Sequence, residues 1–129
     1  MNMYQLSAPG FTLQIYNIIL YNGAPTDMNI SVVCGGYAGG MQMEIFDSQL
    51  CSFAVSLKAM YDDLKGTVEI KEAFGDQAYI RFACDHWGHI TISGELFEGE
   101  NYLKFSANID QTYLKDFSEK LYDSYGKGA

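Results

Sequence analysis

DSQLCSFAVSLKAMYDDLKGTVEIKEAFGDQAYIRFACDHWGHITISGELFEGENYLKFSANIDQTYLKDFSEKLY, residues 47–122, decides the fold. It opens with Leu50, Phe53, Ala54, Leu57, Met60, Tyr61 and Leu64 at spacings of three and four, which is one apolar stripe on a helix. Asp47 is expected to cap that helix, its carboxylate accepting from the N–H groups of the first turn. Gly66 is expected to end it, with Lys65 against the negative end of the dipole. Such a helix is about 27 Å long at 1.5 Å per residue. A nine-residue strand is about 30 Å long, so helix and sheet match in length.

Four alternating segments follow the helix. Val68 and Ile70 alternate with Glu69 and Lys71, and Gly75-Asp76 turns the chain. Ala78, Ile80, Phe82 and Cys84 share one face, with Tyr79, Arg81 and Ala83 opposite. After Asp85-His86-Trp87-Gly88, Ile90, Ile92 and Leu96 point one way while Thr91, Ser93 and Glu95 point the other. After Glu98-Gly99-Glu100-Asn101, Leu103, Phe105, Ala107 and Ile109 alternate with Tyr102, Lys104, Ser106 and Asn108. Short turns with period-two alternation predict an antiparallel meander with one wet face. Asp110 then caps a closing helix from Gln111 to about Tyr122, with Tyr113, Leu114, Phe117 and Leu121 as its buried stripe.

The N-terminal part is less regular. Phe11, Leu13 and Ile15 alternate with Thr12, Gln14 and Tyr16, and the phase breaks at Asn17, which predicts a strand with a bulge or burial on both faces. Tyr21-Asn22-Gly23-Ala24-Pro25 is a turn cluster. Asn29 to Tyr37 and Met41 to Phe46 read as two more strands, with the glycines of CGGYAGG as a bent hairpin between them. The expected order is β-β-β-α-β-β-β-β-α. That is an α+β domain over residues 1–125, with a frayed tail at 126–129 and an antiparallel sheet of about six to seven strands carrying both helices on one face. No linker, repeat or low-complexity segment is read from the chain.

The chain has 129 residues, 48% of them apolar, so one globular domain is expected. Aromatics reach 15%, including ten Tyr and eight Phe, which suits half-buried sheet faces and interfaces. The net charge is −8, and no Lys, Arg or His precedes Lys58. That balance opposes binding to nucleic acid and to anionic membrane, and attracts a basic partner. It also simply keeps a domain soluble. Cys34, Cys51 and Cys84 are odd in number and form no CxxC, so reduced core thiols are expected. No basic n-region followed by a long apolar stretch opens the chain, and no apolar run approaches the roughly 20 residues of a membrane span, so the cytoplasm is the expected compartment.

Candidate chemistry is thin. Cys84, His86 and His89 give C-x-H-x-x-H around a turn, but zinc needs about four ligands and no second set accompanies them. The plainer reading is a polar turn with Trp87 folded over the sheet edge. Asp85 and His86 lack a positioned nucleophile and a G-x-S-x-G elbow. The glycines at 35, 36, 39 and 40 precede no G-K-[ST], so they are not a phosphate loop. Glu95, Glu98 and Glu100 read as a solvated acidic rim ahead of a glycosidase pair. No catalytic residue, cofactor or metal is therefore expected.

The wet face of the meander is the preferred surface, with cross-strand pairing accounting for part of it. Tyr79, Arg81, Glu95, Glu98, Glu100 and Tyr102, with Tyr37 at the glycine hairpin, are the candidate partner-binding residues, because aromatics with a polar tip anchor interfaces. The segments 30–34 and 41–46 carry only Glu44 as a charge, so they are central or form an edge covered by a second copy or a partner strand.

The runs YDDLKGTVEI, GHITISGEL and NYLKFSANIDQTYL resemble the WapI-type immunity proteins of bacterial contact-dependent toxin systems. The likeness covers roughly residues 47–123. Its most specific piece is Asp110-Gln111-Thr112-Tyr113-Leu114, with Leu64-Lys65-Gly66 upstream. The resemblance implies a small non-enzymatic cytoplasmic protein that neutralises a cognate toxin, and it transfers no catalytic residue. Acidity adds the expectation that this toxin is basic. The rival expectations are a homo-oligomeric structural or ligand-binding domain and, more distantly, an enzyme using His86 and His89.

Overall fold

The computed structural model describes residues 3–21, 24–74 and 78–127. Four strands come first: β1 (Met3–Ala8), β2 (Phe11–Tyr21), β3 (Ala24–Cys34) and β4 (Tyr37–Ile45). They form an antiparallel sheet in that order. Helix α1 (Asp47–Asp63) follows. A second antiparallel sheet holds β5 (Gly66–Lys71), β6 (Tyr79–Cys84), β7 (His89–Glu98) and β8 (Asn101–Asp110), again in chain order. A 3-10 turn (Gln111–Tyr113), helix α2 (Lys115–Leu121) and a π turn (Tyr122–Gly126) close the chain.

The fold is thus α+β with antiparallel sheets, and the second sheet is the expected meander. The single sheet of six to seven strands is corrected to two sheets of four. Helix α1 spans about 26 Å at 1.5 Å per residue and carries the chain away from β4, so β5 starts a new sheet. The helices do not share one sheet face: α1 packs on β5 and α2 on β1. Strand β1 was not anticipated. Its buried residues, Tyr4 and Leu6, are too few to establish a period.

Other boundaries shift for local reasons. Strand β3 ends at Cys34, and Gly35, at φ +60, makes the turn into Tyr37. Gly39 and Gly40 therefore lie inside β4 and outside the turn. A Cβ on Gly40 would come within 2.7 Å of the Ile30 carbonyl oxygen, so packing excludes a side chain there. Asp47 is the first helical residue, not the cap. Phe46 is the cap residue, and its N–H donates to Oε1 of Gln49 (2.8 Å). Leu64, at φ +54, turns the chain out of α1 before Gly66. Asp110 does cap the closing helical segment, accepting from the Thr112 N–H at 2.9 Å. Tyr113 lies exposed while Leu114, Phe117 and Leu121 are buried. Gly126 is buried in the final turn, one residue beyond the expected domain end. Asn17 adopts φ +51 at a register shift, as the broken alternation suggested. The turn residues Asn22-Gly23 and Gly75-Asp76 and the final Gly128-Ala129 lie outside the described residues.

The element order β-β-β-β-α occurs twice, a repeat the chain also carries in its residues. Leu50, Phe53, Leu57 and Tyr61 recur as Leu114, Phe117, Leu121 and Tyr125, each 64 positions on. Ala54 matches Ser118, and both are fully buried. Gly35 and Gly99 both open two-residue hairpins, at φ +60 and +61. The packing follows the same symmetry: α1 on β5 answers α2 on β1, and β4 against β7 answers β8 against β3. Gly39 and Leu103 hold equivalent positions and touch each other, so the pseudo-twofold axis passes between them. A continuous buried cluster joins both sheets and the helices. At its heart Phe82 meets Phe53 of α1 (5.8 Å between ring centres) and Phe117 of α2 (6.2 Å).

Candidate functional site

The pseudo-twofold axis brings the β3–β4 and β7–β8 hairpins together. Gly39 leaves the space that Leu103 fills, a contact close enough that a Cβ on Gly39 would lie 3.0 Å from Leu103 Cδ2. The Phe97 N–H points at Met41 Sδ (3.4 Å), and the Cys34 thiol donates to the Ser106 carbonyl (3.7 Å). These contacts fix Tyr37 of the first sheet beside Tyr102 of the second. The two tyrosines are 75% and 65% exposed. Both line a groove of about 330 Å³ with Gly39, Leu96, Glu98 and Asn101. Both also line a second groove of about 550 Å³ with Cys34, Lys104 and Ser106. The Tyr102 ring stacks on Phe97 at 5.6 Å, which holds it in one orientation.

The residues expected to bind a partner fall into two groups. Tyr37, Glu98 and Tyr102 meet at these grooves, and Glu100 sits in the adjoining turn. Tyr79, Arg81 and Glu95 lie farther across the outer face of the second sheet. Lys71, Tyr79, Glu95 and Lys104 form one cross-strand row on that face, which leads to the groove at Lys104. Arg81 donates to Glu69 Oε2 through Nε (2.9 Å) and Nη2 (2.7 Å) and lies 5.1 Å over the Tyr79 ring. The Glu69 hydrogen bond and charge raise the guanidinium pKa above its ordinary value. Arg81 is therefore engaged within its own sheet.

Gly39 and Leu103 frame the grooves and were not read as site residues, whereas Lys104 was read on the preferred wet face. The alternation placed Leu103 in the core and Gly39 in a turn. The available signal was the 64-residue repeat, which sets these two positions opposite one another.

The β6–β7 turn is held by Asp85, whose Oδ1 accepts from the N–H groups of Trp87 (2.8 Å) and His89 (3.0 Å). Those bonds, the His89 one foremost, lower its pKa. Trp87 does not fold over the sheet edge. It is 74% exposed, and its ring meets that of His86 at a tilt, 4.6 Å between centres. The Cys84 thiol donates to the Asp85 carbonyl at 3.4 Å. Burial, then the Asp85 charge, raises its pKa. His89 Nδ1 lies 3.6 Å from Asp85 Oδ2. Among the described residues no three His, Cys, Asp or Glu side chains are grouped to hold a metal ion.

Strand β4 is an edge strand, but its own chain covers one end. The Ala73 N–H donates to the Glu44 carbonyl (2.8 Å), and the Glu44 N–H points to Glu72 Oε2 (3.4 Å). Among the described residues no helix is long and apolar enough to cross a membrane. No family model matches the chain, and neither does any curated protein.

Proposed function

We propose that the protein is a non-enzymatic protein-binding domain that grips its partner at the Tyr37–Tyr102 grooves. The observation that carries this reading is the meeting of two highly exposed tyrosines, one from each sheet, over the Gly39–Leu103 contact. Large aromatic rings held outward on rigid hairpins present apolar area at little entropic cost, which is how interface anchors work. Glu98 and Glu100 flank them, and a net charge of −8 steers a basic partner toward the face. The resemblance across residues 47–123 supports a cognate toxin as that partner, with the protein as its cytoplasmic neutraliser.

The test is affinity capture from the source organism with the full chain and with a Tyr37→Ala/Tyr102→Ala variant, followed by a salt titration. A basic protein retained by the parent and lost by the variant is expected, with each tyrosine contributing on the order of 2 kcal/mol. Equal recovery by both proteins, or binding indifferent to ionic strength, rejects this reading. A parent that elutes as a dimer, dissociated by the same substitutions, assigns the face to self-association instead.

A further inference from the structure

We propose that the groove between α1 and β5 takes up an extended, basic segment of a partner protein, which adds as a new strand to the β5 edge. Strand β5 is the free edge of the second sheet, opposite β8. The Glu72 N–H donates to the Ala78 carbonyl, so the alternation turns the backbone groups of Lys71, Glu69 and Thr67 outward. Gln49 Nε2 donates to the Lys71 carbonyl at 2.9 Å and closes that end. Among the described residues, the outward N–H and C=O groups of Thr67 and Glu69 have no backbone or side-chain partner. A row of alternating donors and acceptors at strand spacing is matched by another extended backbone.

The other half of the molecule supplies the comparison. Helix α2 runs beside the β1 edge as α1 runs beside β5. There the edge is guarded: Lys120 Nζ donates to the Met3 carbonyl at 3.2 Å and lies 5.7 Å over the Tyr4 ring. A lysine on an edge is a common block to strand addition. The 64-residue repeat maps Lys120 onto Ser56 and Met3 onto Thr67. The lysine guard therefore has no counterpart at Thr67, and Gln49 closes only the Lys71 end of β5. Ser56 and Thr67 instead line two adjoining open grooves of about 400 Å³ each. Phe53, Val68 and Ile70 form the apolar floor of the first.

Charge gives the occupant its sign. Asp63 lines the second groove and is in no ion pair among the described residues, and the whole chain carries −8. Lys65 lies at the same end and Lys71 at the other, so the lining charges balance Asp63 and Glu69, and the preference for a basic segment comes from the net charge of the whole chain. An extended segment that alternates basic with medium apolar side chains meets both demands, its apolar residues over the floor and its cations toward Asp63 and Glu69. The surface is separate from the Tyr37–Tyr102 grooves, so its test stands apart from theirs.

The experiment titrates the ¹⁵N-labelled full chain with acetyl-Lys-Val-Lys-Val-Lys-amide. The glutamate counterpart and a backbone N-methylated lysine version serve as controls. Amide shifts confined to residues 48–71 are expected. The lysine peptide should bind at least about tenfold more tightly than the glutamate one, and N-methylation should abolish the response. Ser56→Lys, which restores the guard, should remove the shifts at 66–71 and leave the remaining spectrum in place. Absence of shifts at 66–71, equal response to both charges, indifference to N-methylation, or unchanged binding by the Ser56→Lys protein would each overturn the proposal.

Discussion

Gly39 is defined by its neighbour. Leu103 occupies the volume a side chain would need, and the two residues sit at equivalent places in the repeat. Gly39→Val should overpack this spot and cost about 1–3 kcal/mol. Adding Leu103→Ala should recover part of that loss, so that the double variant is more stable than the sum of the single effects. Denaturant melts of the four proteins check this, and strict additivity would separate the two residues energetically. Asp85 and Asp110 make a different residue-level claim. Both are held below the ordinary carboxylate value of 3.8, Asp85 chiefly by the His89 N–H and Asp110 chiefly by the Thr112 N–H. The unfolded chain binds these protons more readily, so the stabilisation is complete above the unfolded value and disappears as pH falls through the folded ones. Asp110→Asn should keep a cap and flatten the acid limb of stability. Urea midpoints from about pH 7 down to about pH 3 read this directly. An acid limb as steep as the parent's would exclude Asp110 from it.

Among the elements, β6 is the hinge of the core, because Phe82 touches both helices at once. Phe82→Ala should cost about 3–5 kcal/mol and loosen α1 and α2 together. Hydrogen exchange would show it as faster exchange in both helices, and an effect limited to one helix would contradict the arrangement. Much of the element level was legible in the residues. Ile80, Phe82, Ile90, Ile92, Phe105 and Ile109 alternate cleanly because each strand of the second sheet has one dry face. Leu50, Phe53 and Leu57 mark α1 for the same reason at helical period. What the pattern withheld was adjacency. Alternation states which face is wet, but says nothing of where a strand lands after a helix, so two sheets read as one. Strand β1 was missed because two buried residues show no period, and the glycines of β4 because the Ile30 carbonyl and Leu103, not a turn, exclude their side chains. Of the candidate site, Tyr37 and Tyr102 were legible as aromatics without a core role. Their meeting was not, since it depends on Gly39 and Leu103.

For the whole molecule the main fact is exchange between halves: each helix covers the first strand of the other half. Neither half encloses its own core, so unfolding should be one cooperative event. Trp87 fluorescence and far-ultraviolet circular dichroism should give coincident denaturant transitions. Two separated transitions would mean that the halves are independent. The net charge of −8 acts at this scale too. Association with a basic partner should slow steeply as salt rises, while dissociation changes little. Stopped-flow measurement of both rates checks this, and a salt effect confined to dissociation would oppose it. The glycine and leucine at the pseudo-twofold axis bear on symmetry as well as stability. Two copies of the first half would set glycine against glycine and leave a hole, and two copies of the second would jam one isobutyl group into another. The chain supplies one of each, so its two segments are complements, and a symmetric pair of either segment alone would not reproduce this contact.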